Sequence, residues 1–223
     1  MRTNKTELKK LCKQLGAHLV GVASADSFVE APEGSHPKNV LSSCKSVLVL
    51  ACEFPRDALA MNPVGYTKIR NQMTAKMDNL ATEFSKVINA AGVETSVVKS
   101  IDSSWRGSRS RGPISLKHAA QLAGLGKIGK STLLVNKKYG NMIWFSAILT
   151  SIPLKSDPPA NYEVCKPGCK LCIKNCPVSA LGNDMMEQVT CYNYAFKTIN
   201  GKLEIGCWKC RHLCPNYLGL VKK

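Results

Sequence analysis

The placement of the cysteines constrains this chain more than any other feature. Of eleven in 223 residues, eight fall between positions 165 and 214. One run, CKPGCKLCIKNCP, sets Cys165, Cys169, Cys172 and Cys176 ahead of Pro177. A second, GCWKCRHLCP, sets Cys207, Cys210 and Cys214 ahead of Pro215, and Cys191 lies between the two. So short a segment encloses little apolar core, so its fold depends on whatever the thiols hold.

The spacing points to iron and sulfide. Bacterial two-cluster ferredoxins repeat C-x2-C-x2-C-x3-C-P, the last cysteine of each run crossing to the other cluster. C-x-x-C loops reach neighbouring corners of a cubane, and a cysteine distant in sequence supplies the remaining corner. By the crossing rule one 4Fe-4S cluster takes Cys165, Cys169, Cys172 and Cys214, and the other takes Cys176, Cys191, Cys207 and Cys210. Two departures stand out: Cys165 precedes Cys169 by four residues instead of three, and Cys191 lies sixteen before Cys207. Asn200-Gly201, inside that gap, predicts a hairpin or loop. Zinc is the competing reading, because paired C-x-x-C motifs also build tetrahedral sites, but zinc needs neither the third cysteine nor the proline.

The upstream stretch is long enough for a well-buried domain of its own, with residues 1–158 as one unit and 159–223 as the other. The formal charge is +16, and two oxidised cubanes bring the holoprotein to about +12, still strongly basic. That favours acidic partners such as nucleic acid, an acidic redox protein or a phosphate-bearing cofactor. The densest basic stretch is SSWRGSRSRG, with Arg106, Arg109, Arg111 and Trp105, read as a solvated loop or as a phosphate-gripping one. The opening residues hold no apolar run long enough for a secretory signal, and no run nears the roughly 20 residues that span a bilayer. A reducing cytoplasm, without disulfides or membrane, is the expectation.

Helical spacing opens the chain at Leu8, Leu11, Cys12 and Leu15, followed by an apolar stretch from His18 to Ala23. SVLVLAC, Ser46 to Cys52, predicts a strand covered on both faces. A long amphipathic helix is predicted from Thr67 to Ala91, ending at Gly92, with a strand at Val93–Val98. A helix over Ser115–Leu122 and strands over Thr132–Val135 and Met142–Thr150 complete a layered α/β pattern. GLGKIGKS, Gly124 to Ser131, satisfies the phosphate-loop pattern, but that loop runs from strand to helix. Here helix precedes and strand follows, so nucleotide hydrolysis is not expected.

The same segment carries a resemblance. HAAQLAGLGKIGKSTLLVNKKYG, FSAILTSIPL and the upstream HPKNVLSSCKSVLVLACEFP, with the cysteine runs, resemble the epoxyqueuosine reductase family, relatives of the reductive dehalogenases, from about Gly21 to Pro215. The resemblance implies a nitroreductase-like α/β domain that binds cobalamin, followed by a ferredoxin-like two-cluster domain. It implies that Gly124, Gly126, Lys127, Gly129, Lys130 and Ser131 lie against the corrin. One cluster would feed the cobalt, and the other would be filled by a low-potential donor such as ferredoxin or flavodoxin.

Three departures limit the transfer. The family's proton-donating aspartate aligns with Ser110, and serine is no general acid near neutral pH. Asp102 takes its place as the candidate catalytic acid if the loop folds back. Lys127 stands where the family usually has tryptophan, and the chain ends without the helical-repeat tail that helps longer members hold tRNA. His118, His18, His36 and His212 read as packed or solvated, and Cys12, Cys44 and Cys52 as buried thiols. The expectation is a cobalamin-dependent iron-sulfur reductase. The alternatives are an electron-transfer or maturation protein without cobalamin, and a tRNA-binding iron-sulfur protein.

Overall fold

The structure, a computed structural model, describes residues 4–182 and 185–220. The chain opens with α1 (Lys5–Gln14), β1 (Leu19–Ser24), the one-turn α2 (Pro37–Val40) and β2 (Ser46–Glu53). There follow α3 (Pro63–Asn89), β3 (Thr95–Val98), a hairpin of β4 (Ser104–Arg106) and β5 (Arg109–Arg111), and α4 (Leu116–Leu122). A second small hairpin, β6 (Lys127–Ile128) and β7 (Leu134–Val135), leads into β8 (Ile143–Thr150). The cysteine-rich part contributes α5 (Leu171–Lys174), α6 (Gln188–Ala195), the hairpin of β9 (Phe196–Ile199) and β10 (Lys202–Ile205), and α7 (Lys209–His212).

The central sheet runs β1-β2-β8-β3 and is antiparallel at every pairing. Residues alternate in direction along a strand, so each strand feeds two cores. Leu48, Leu50 and Cys52 of β2 pack with Leu8 and Cys12 of α1 and with Met77, Phe84 and Ile88 of α3. Val47, Val49 and Ala51 turn the other way, toward Ala119 and Ala120 of α4. This is a mixed α/β fold with helices on both faces of the sheet, which is why SVLVLAC is apolar throughout. Cys12, Cys44 and Cys52 are buried in these cores, as expected.

The long helix begins four residues before its predicted start. The Asn62 side chain caps it by accepting from the Gly65 amide at 2.9 Å, and Pro63 has the backbone angle of a first helical turn. The Arg/Ser stretch, one of whose readings was a solvated loop, is the β4–β5 hairpin, with Gly107 at φ +61° in its turn. Asn200-Gly201 closes the β9–β10 hairpin, both residues at positive φ. Among the described residues no helix is long and apolar enough to cross a membrane.

The glycine loop follows a helix, the order that argued against a phosphate loop. Gly124, at φ +73°, ends α4: its amide bonds the Gln121 carbonyl, and the Leu125 amide reaches back to Ala120 at 2.9 Å. A Cβ on Gly124 would meet the Pro158 carbonyl oxygen at 2.3 Å, so the position also admits no side chain. The segment behind that contact is tied to the core by Asp157. Its carboxylate accepts from the Val22 amide at 2.8 Å and pairs with Lys5 and Lys9 of α1.

Candidate functional site: two thiol groups beside a large cavity

Cys165, Cys169, Cys172 and Cys214 line one small pocket. Cys172 is on α5, while Cys214 follows α7 and ends against Pro215. The extra residue between Cys165 and Cys169 is taken up in a turn. The Cys169 amide bonds the Lys166 carbonyl at 3.0 Å, with Gly168 at φ +72°. Burial pushes the Cys214 thiol up, and the charges of Cys165, Cys172 and Cys169 add to it.

Cys176, Cys191, Cys207 and Cys210 are the second set that the crossing rule assigns, and each is half-buried. Burial raises the Cys191 thiol, with Cys176 and Cys207 contributing. Burial also pushes Cys210 up to about 11, opposed by Arg211 and reinforced by Cys191, Cys207 and Cys172. Among the described residues no three Cys, His, Asp or Glu groups converge as a single metal ion requires. A cubane makes a different demand, since each thiolate binds its own iron at its own corner.

A separate cavity of about 940 Å³ is lined by Arg211, the residue after Cys210, and by no cysteine. Its walls come from β8 (Ile143, Trp144, Phe145), from α4 (Lys117, His118) and from the β4–β5 hairpin. Gln188, Phe196, Ile205 and Arg211 bring the cysteine-rich part to the same space. Burial pulls the Lys117 ammonium below its usual range, with Cys210 and Arg211 acting in opposite senses. His118 also lines the cavity and shares a 2.7 Å hydrogen bond with Ser115; burial, then Lys117, lowers its proton affinity.

Four buried side-chain atoms lack a hydrogen-bond partner among the described residues: Ser35 Oγ, Ser100 Oγ, Asn141 Oδ1 and Trp144 Nε1. All four residues line this cavity. Leaving such a group unpaired costs about 1–3 kcal/mol, and each of the four atoms is closed off from solvent. Nothing in the sequence singled these residues out; Trp144 reads simply as one more residue of an apolar strand.

The hairpin brings Asp102 back against Gly112, two residues beyond Ser110. Ser104 pairs with Arg111, the Ser110 hydroxyl donates to Ser103 Oγ at 3.0 Å, and both Asp102 and Ser110 border the cavity. Gly124, Gly126, Lys127, Gly129, Lys130 and Ser131 do not line it. Gly129, Lys130 and Ser131 instead border the first thiol pocket, and Lys127 pairs with Glu163 at 2.7 Å.

No protein-family model matches the chain. It is 26% identical over 95% of its length to an epoxyqueuosine reductase of Listeria monocytogenes and spans 64% of that relative. A crystal structure of an epoxyqueuosine reductase with an epoxyqueuosine-modified tRNA-Tyr stem loop superposes with a TM-score of 0.66 at 20% identity, over 95% of this chain and 64% of that one. A reductive dehalogenase, described through a mechanism for B12-dependent dehalogenation, gives a TM-score of 0.65 at 17% identity, over 93% of this chain and 31% of that one. The chain is thus a relative of the epoxyqueuosine reductases, with a fold that the reductive dehalogenases share.

Proposed function

We propose that this protein is an iron-sulfur reductase of the epoxyqueuosine reductase type. Two 4Fe-4S clusters, one on Cys165, Cys169, Cys172 and Cys214 and one on Cys176, Cys191, Cys207 and Cys210, deliver electrons to a cobalamin in the large cavity. In this reading residues 1–158 form a nitroreductase-like cobalamin domain and residues 159–223 a ferredoxin-like domain. The observation that carries it is a pocket lined by Cys165, Cys169, Cys172 and Cys214, beside a large cavity whose walls come from both the α/β and the cysteine-rich parts of the chain.

The residues present suit both groups. Eight thiols in two sets of four are the ligand count of two cubanes. Ser103, Arg111 and Gln188 line the cavity and bring donors and acceptors for the amide side chains that rim a corrin. Bound there, the cofactor supplies a low-potential cobalt centre. The protein's part is position, water exclusion and proton supply. Arg211 and Lys117 bring cationic charge to the cavity, and Asp102 stands as the proton donor at its edge. Electrons enter from a ferredoxin- or flavodoxin-like donor at the first cluster.

The basic surface and the stem loop bound to a structural neighbour favour a tRNA substrate. The ligand sets are tested by substitution in anaerobically prepared protein. Cys172→Ala and Cys210→Ala should each reduce iron from about eight to about four per chain, losing different clusters. Retention of about eight irons in either variant would refute the assignment.

A further inference from the structure

The tip of the β6–β7 hairpin belongs to the α/β part of the chain, yet it closes over thiols contributed by the cysteine-rich part. The Lys130 amide donates to Cys165 Sγ at 3.5 Å, and its ammonium donates to the Cys169 carbonyl at 3.0 Å. One residue thus contacts two residues of the same thiol group, once through its backbone and once through its side chain. Gly129 makes room for this approach: a Cβ there would stand 3.3 Å from Cys165 Sγ.

The tip is held in that position. The Gly129 amide bonds the Leu133 carbonyl at 3.0 Å, and the Thr132 amide bonds the Gly129 carbonyl at 2.8 Å. The Lys117 ammonium of α4 braces the Thr132 carbonyl at 2.6 Å. A surface loop with only a solubilising role has no need of bonds to a thiol, to a ligand-loop carbonyl and to a neighbouring helix.

We propose that Gly129 and Lys130 are part of the iron-sulfur site, capping the cluster held by Cys165, Cys169, Cys172 and Cys214, and that Lys130 raises its reduction potential. This rests on the two-cluster reading. Reduction adds an electron to an already anionic cluster, so an N–H aimed at a ligand sulfur and a fixed positive charge beside the ligand loop favour the reduced form. Lys130 is exposed, so water and salt weaken its charge.

The test is an EPR-monitored redox titration of the anaerobically reconstituted, full-length protein, in which the signal lost in Cys169→Ala identifies the capped cluster. Lys130→Arg should leave its midpoint in place and Lys130→Met should move it negative. Lys130→Glu should move it further, a tenfold change in the one-electron equilibrium reading as about 59 mV. The other cluster serves as internal reference and should stay still. Unmoved midpoints, or equal movement of both clusters, in protein that still holds about eight irons would overturn the proposal. Unmodified protein that takes up no iron would instead overturn the two-cluster reading and this inference with it. Gly129→Val should lose the capped cluster while keeping the other signal; full iron in that variant would contradict the capping role.

Discussion

Trp208 sits between Cys207 and Cys210, and its removal is expected to unhook one cluster from the core. Its ring stacks on Tyr66 of α3 with centroids 4.2 Å apart and planes parallel, and its Nε1 donates to the Leu59 carbonyl at 3.2 Å. Next to it the Arg211 guanidinium lies over the Phe54 ring at 5.5 Å, and the Arg211 carbonyl accepts from Asn141 Nδ2 at 3.0 Å. Trp208→Ala removes a stacking interaction of about 0.5–1.5 kcal/mol and a hydrogen bond of about 0.5–1.5 kcal/mol. It also loses part of the contact area that makes fully buried Trp→Ala changes cost about 3–5 kcal/mol. Trp208 is only partly buried, so the sum is about 2–4 kcal/mol, or about 5–15 °C in Tm for a chain of this size. Trp208→Phe keeps a stack and loses the hydrogen bond, costing about 1 kcal/mol. The assay is thermal unfolding followed by circular dichroism and cluster absorbance, with iron counted per chain. The Ala variant should lose iron first from the Cys191 group. Full iron and a Tm within about 2 °C of the parent would refute the reasoning.

Other predictions address the cavity, the substrate and the acid dependence of folding. Trp144→Phe removes an unpaired buried donor, so the protein should hold or gain up to about 1 kcal/mol of stability in denaturant titrations, and a loss of more than that would show that the indole N–H has a partner. Asp102→Asn should abolish turnover of an epoxyqueuosine-containing stem loop without altering iron content, and full activity would remove Asp102 as proton donor. Binding of that stem loop should weaken steeply with salt if the basic surface carries it, a flat salt response arguing the reverse. Asp157→Asn should cost about 1–2 kcal/mol at pH 7 in denaturant titrations. Burial alone would raise the Asp157 carboxyl, but Lys9, Lys5 and the Val22 amide hold it below the usual range. Its contribution is therefore complete above the unfolded value of about 4 and is lost as pH falls through the lower folded one. The variant and parent should converge in that acid range; a constant difference would show that the carboxylate's charge is not the cause.

The parts legible in the sequence were those set by local rules. SVLVLAC reads as a strand covered on both faces because both of its faces are apolar, and the Asn-Gly pair reads as a turn because few other residues adopt its backbone angles. The shared pocket of Cys165, Cys169, Cys172 and Cys214 is foreshadowed by a spacing that cubane ligation repeats. The antiparallel order of the sheet is not, since it arises from pairings such as Leu48 with Val22 and Ile148, about a hundred residues apart at the widest. The glycine loop shows the limit most plainly. Its resemblance placed it against a corrin, while Gly129, Lys130 and Ser131 border the thiol pocket and Gly124 ends a helix. Likewise, Ser35, Ser100, Asn141 and Trp144 share a cavity only after three separate segments have packed.

The most direct test of the central claim is a paired iron and cobalt determination on protein purified without oxygen and reconstituted with iron, sulfide and cobalamin. The account predicts about eight irons and one corrin cobalt per chain after gel filtration. Four irons or fewer, or eight irons with no retained cobalt, would contradict it.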